Sequence, residues 1–154
     1  MNQNMEYTAG EAAILLQSNS SVIAQLGQVI PPDKPASGRG YRSLYSFRNL
    51  VEMRIGEELS RYGVPWKRIS KHIVDLRNSR CHWLDNEGLD GWAILDDLWR
   101  WAAGTTVEGA LSALKFPPKS FVAINVGNIK RAIRARERSP EAGRAIVQET
   151  GKFT

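Results

Sequence analysis

A mainly α-helical N-terminal half followed by a small α+β unit is the fold class this sequence predicts. Two short apolar stretches at helical spacing, each behind a capping residue, open the chain, and two longer ones follow a proline- and glycine-rich loop. After residue 91 the pattern changes to short aromatic and apolar runs divided by turn residues, which is how strands are written.

Thr8 followed by Glu11 is a capping box, so a helix starts after Thr8. It carries Ala12, Ala13, Leu15 and Leu16 inward and stops near Gln17, where Ser18, Asn19, Ser20 and Ser21 compete for backbone hydrogen bonds. Ser18 or Asn19 caps a second short helix, with Val22, Ile23 and Leu26 facing inward and Gly27 as its end. Two short helices across a tight polar turn form a helix-turn-helix candidate. Prolines and glycines then forbid helix over residues 31–40. Residues 41–45 read as the returning strand of a small hairpin with its tip at 37–40, a wing.

Ser46 caps a third helix whose apolar stripe is Phe47, Leu50, Val51, Ile55, Leu59 and Tyr62, and Gly63 ends it. Past Val64 and Pro65 a fourth helix places Trp66, Ile69, Ile73 and Leu76 on one face and Lys67, Arg68, Lys71 and Arg77 outside. The polar stretch 78–91 is a linker. Residues 92–95 and 98–101 read as a hairpin about Asp96 and Asp97. Thr106 begins a short helix, residues 121–126 read as a buried strand, and Asn128 starts a basic helix through about Arg138. The resulting division is a domain over 7–77, a linker over 78–91, an α+β domain over 92–138 and a tail over 139–154.

Charge is segregated along the chain. Residues 39–80 hold ten Lys and Arg against four Asp and Glu, whereas 81–114 hold one against six, within a net charge of +5. A basic segment beside an acidic one predicts a polyanion-binding face and a separate face that avoids it. The single cysteine, Cys81, has no internal disulfide partner, and no apolar run approaches the roughly 20 residues of a membrane span, so a cytoplasmic location is expected.

The segment Tyr7-Thr8-Ala9-Gly10-Glu11-Ala12-Ala13, the Gly-Tyr-Arg-Ser-Leu-Tyr-Ser run from Gly40, and the helix pair ending SRYGVPWKRISKHI resemble the winged helix-turn-helix domain of the MerR family of bacterial transcription regulators. The resemblance covers about residues 7–75. It implies a DNA-binding regulator on duplex DNA, a homodimer, whose second helix enters a major groove while the wing grips phosphates. The contact set it implies is Tyr7, Thr8, Ser20, Ser21, Ala24, Arg39, Tyr41, Arg42 and Tyr45, with Arg42 as the phosphate-contacting cation. One departure from the family is that residues 23–26 carry no cation, which predicts a shallow salt dependence. That same departure motivates the alternative, a protein-interaction module with a degenerate winged helix, such as an antitoxin-like protein.

Cys81, His82 and Asp85 bear metal-ligating groups but fall short of the three or four well-spaced ligands a folded site needs, so neither metal nor cofactor is expected. Trp83, Trp92, Trp99 and Trp101 read as the core of the small domain, with an aromatic pocket for a small-molecule or protein effector as the other reading. No arrangement for nucleophilic or acid–base catalysis stands out, so an enzyme is not expected.

Overall fold

The computed structural model describes residues 6–30, 32, 43–78 and 91–138. Among them are six helices and two small antiparallel sheets, a mixed α+β protein. No helix among the described residues is long and apolar enough to cross a membrane. Contacts divide the chain into two units, one built from residues up to Arg54 together with those from Ala132, the other from 55–131. This division differs from the sequential one read from composition, because the end of the last helix belongs with the first unit.

In the first unit, β1 (Glu6–Tyr7) leads into α1 (Ala9–Leu15), and Thr8 caps that helix by accepting from the Glu11 N–H at 3.3 Å. Asn19 caps α2 (Ser20–Val29), its Oδ1 accepting from the Val22 N–H at 3.0 Å. Gly27 does not end α2, which runs two residues further. A Cβ there would sit 2.7 Å from the Tyr45 hydroxyl, so the glycine serves close packing and not chain termination. β2 (Tyr45–Ser46) pairs with β1, placing Tyr7 opposite Tyr45. Of the strand expected over 41–45, Tyr45 lies in β2 and pairs with Tyr7, while residues 41–42 and the expected tip at 37–40 fall outside the described residues.

α3 (Phe47–Arg61) begins with a reciprocal cap. The Asn49 N–H donates to Ser46 Oγ at 3.2 Å and the Ser46 N–H donates to Asn49 Oδ1 at 3.0 Å, so Asn49 takes the part Glu plays in the usual box. Its buried amide also donates to Glu52. The core of this unit is Tyr7, Leu15, Leu16, Ile23, Leu26, Ile30, Tyr45, Leu50, Val51 and Met53.

The second unit contains the end of α3, where Gly63 adopts φ +86° and turns the chain, and α4 (Trp66–Asn78). Tyr62 is 64% exposed and leaves the stripe predicted for it, since it sits in the turn after the last helical residue. Ile69 and Ile73 are buried on α4 as expected, Trp66 is largely exposed, and the side chains of Leu76 and Arg77 lie outside the described ones. β3 (Trp92–Asp96) is the central strand of the order β4-β3-β5, flanked by β4 (Trp101–Gly104) and β5 (Phe121–Asn125). β5 is an edge strand with Phe121 at 42% exposure, so it is only half-buried, contrary to expectation. α5 (Val107–Ser112) is capped by Thr106 and packs Ala110 onto Ile94 and Ala102. The approach is tight enough that a Cβ on Gly104 would stand 2.7 Å from the Ala110 backbone nitrogen. α6 (Val126–Glu137) starts two residues before the expected Asn128, because the carboxamide of Asn125 accepts the Asn128 N–H at 3.0 Å.

Candidate nucleic-acid interface

α1 and α2 pack on each other through Ala12, Leu15, Leu16, Ile23 and Leu26, leaving Ser20, Ser21, Ala24, Gln25 and Gln28 exposed along one side of α2. That side is small and polar, and α2 has no basic residue in its last turn or anywhere else. The Ser21 hydroxyl donates to Asn19 Oδ1 at 2.6 Å, so it belongs to the cap of its own helix in the free protein.

Two arginines fix this helix pair from outside it. Arg54 Nη2 donates to the Leu16 carbonyl at 2.6 Å, and Arg136 Nη1 to the Leu15 carbonyl at 2.7 Å. Both carbonyls lie at the C-terminal end of α1, where unsatisfied acceptors and the negative end of the helix dipole favour cations. Burial, and then the nearby Arg54, lower the pKa of Arg136 from the usual guanidinium range. Beyond them Gln17 takes the left-handed conformation (φ 51°) and swings the chain into α2.

Of the nine expected contact residues, Ser20, Ser21 and Ala24 lie together on the exposed side of α2. Thr8 is half-buried in its capping role. Tyr7 and Tyr45, also in the contact set that the resemblance implies, are buried in the core of the first unit. The Tyr7 hydroxyl donates to Glu137 Oε1, and desolvation, reinforced by that carboxylate, raises its pKa. Desolvation likewise raises Tyr45. Arg39, Tyr41 and Arg42 fall outside the described residues.

Glu137 also accepts from Arg134 Nη1 through both oxygens, at 3.0 and 2.8 Å, and the Arg134 guanidinium lies 3.7 Å from the Phe47 ring centroid. Sequence reading missed Arg54, Arg134, Arg136 and Glu137. A charged residue on a helix carries no local sign of a distant partner, which lies 38 positions away for Arg54 and more than a hundred away for Arg136 and Glu137.

Cys81, His82, Trp83 and Asp85 fall outside the described residues, and among the described residues no group of three or more His, Cys, Asp or Glu could hold a metal. Leu111, Ser112, Leu114, Pro117, Pro118 and Phe121 line an open apolar cleft, with no tryptophan in its lining among the described residues. Trp101 and Trp99 instead meet His72, whose ring stacks on Trp101 (centroids 5.9 Å apart) and Trp99 (6.3 Å). No protein-family model matches this chain, and no curated protein matches it.

His72 yields a pH prediction. Burial lowers its pKa, Asp75 raises it, and Arg68 and Lys71 lower it. The folded chain thus holds the ring neutral while the unfolded chain takes up a proton near the ordinary value of about 6.5. This contribution to stability is complete above that value and is lost as pH falls below it. Urea unfolding should show a lower midpoint at about pH 5.5 than at about pH 7.5, and His72→Phe should shrink the difference. An undiminished difference would place the titration elsewhere.

Proposed function

We propose that this chain is a DNA-binding transcription regulator of MerR-like type, acting on duplex DNA as a homodimer, with an effector contact in the C-terminal half. The observation that supports it best is the capped α1–α2 pair, which leaves Ser20, Ser21 and Ala24 on one exposed side of a short helix held at a fixed angle. Small side chains let a helix seat deeply in a major groove, where hydroxyls and methyls meet base edges. Phosphate contacts come from the basic 39–42 stretch, with Arg42 in the leading role and Arg39 and Tyr41 beside it.

A gel shift with genomic duplex fragments tests the reading, and no shift at low salt rejects it. Arg42→Ala should weaken binding alike across all duplex sequences and lower the salt slope by about 1, because a phosphate contact carries no base information. Unchanged affinity and slope would remove Arg42 from the interface. The absence of Lys and Arg from α2 favours a second reading, a protein-interaction module on the same scaffold. Under it Ala24→Glu disrupts capture of a defined protein partner and duplex binding is absent throughout.

A further inference from the structure

The loop between β3 and β4 breaks a rule of hairpin chemistry. Its Trp99 N–H donates to the Asp96 carbonyl and its Asp96 N–H to the Arg100 carbonyl, which encloses a three-residue loop of Asp97, Leu98 and Trp99. Such loops place their last residue in the left-handed region, where glycine is the ordinary occupant. Here that residue is Trp99, at φ 61°. The sequence thus holds its largest side chain in a costly conformation at an exposed loop tip, with Leu98 66% and Trp99 39% exposed. Strain of this kind points to use of the side chain.

What lies around the indole indicates the use. Arg68 stands 5.2 Å from its centroid and His72 stacks on it, and both come from α4, one helical turn apart. Both meet the ring from α4, and part of its surface stays open to solvent. Lys67 and Lys71 are exposed on the same helix, and neither has an ion-pair partner among the described residues. Asp75 is the acidic group facing this stack. An exposed aromatic ring against Arg68, on a helix that also carries the exposed Lys67 and Lys71, matches a base that stacks and a phosphate backbone that runs past it.

We propose that Trp99, with Arg68, Lys67 and Lys71, forms a stacking platform for single-stranded nucleic acid. Unpaired bases lie on the indole, and the two lysines and the arginine follow the phosphates. This platform lies wholly within the unit of residues 55–131 and does not depend on the duplex contact by α2 and the 39–42 stretch.

The test is fluorescence anisotropy of a labelled oligothymidylate with the full chain at low salt, alongside an abasic oligodeoxyribose phosphate of the same length. The expected result is clear preference for the oligothymidylate and a loss of roughly ten-fold with Trp99→Gly. That substitution removes the ring and relieves the left-handed backbone, so its melting temperature should match or exceed that of the parent. Lys67→Gln with Lys71→Gln should make the salt slope shallower by about 1.4, at 0.7 per phosphate contact. The proposal fails if the parent does not bind, if the abasic chain binds equally well, or if Trp99→Gly leaves affinity unchanged. Should Trp99→Gly lower the melting temperature, the double lysine variant decides, and an unchanged slope overturns the proposal. Self-association without nucleic acid that Trp99→Gly abolishes would assign the platform to protein contact and overturn it too. Because the probe has no duplex, failure of the duplex reading leaves these outcomes unaffected.

Discussion

Asp96→Ala is expected to destabilise the unit of residues 55–131 by about 3 kcal/mol, the usual cost of stripping one partner from a buried ion pair. The Asp96 side chain is fully buried and accepts from the Leu98 N–H at 3.1 Å, the Arg100 N–H at 2.6 Å and Arg100 Nε at 2.6 Å. Its loss leaves those donors without their acceptor at the point where the β3–β4 loop is set. Arg100 is partly exposed and keeps a second bond from Nη2 to the Phe116 carbonyl, so the effect falls at the lower end of the range for such pairs. Asp96→Asn retains an oxygen for the two amides and should recover part of the loss. Urea unfolding followed by tryptophan fluorescence measures both variants. A parent-like midpoint for Asp96→Ala would show that the loop is organised without the carboxylate.

Glu137→Ala should cost a similar amount, about 3 kcal/mol, through the other unit. Its carboxylate receives the buried Tyr7 hydroxyl and both contacts from Arg134, whose guanidinium is pressed against Phe47. Removing it takes the carboxylate from a half-buried cation and a buried phenol together. Tyr7→Phe, which deletes only one donor, should cost nearer 1 kcal/mol. Hydrogen exchange in α1 is the discriminating measurement, since β1 leads directly into that helix. Faster exchange there in Glu137→Ala, with β3 unaffected, is the expected pattern; uniform acceleration would indicate global unfolding instead.

The local features of this fold were legible in the sequence because their causes are local. Thr8, Ser46 and Thr106 cap the helices they were expected to cap, Asn19 is one of the two caps offered for α2, and Gly63 turns the chain where a glycine was needed. The differences arise where a side-chain partner that the local pattern does not show decides. α2 passes through Gly27 because Tyr45 fills the space a side chain would take. Trp99 looked like a strand residue by its apolar neighbours, yet the Asp96 carboxylate draws the loop tight and expels it. The site was legible to a lesser degree. The outward row of α2 was implied by the family resemblance, whereas Tyr7 and Tyr45, implied by the same resemblance, were taken by the core.

The pairing of Tyr7 with Glu137, 130 positions apart, also dictates an order of events as the chain leaves the ribosome. The unit of residues 55–131 is continuous in sequence and can close as soon as it has emerged. The unit that carries the α1–α2 pair must wait for the end of α6 and for Arg136, which supplies one of the two bonds to the α1 carbonyls. Until then its apolar helix faces lack part of their cover. The N-terminal helices are thus synthesised first and completed last.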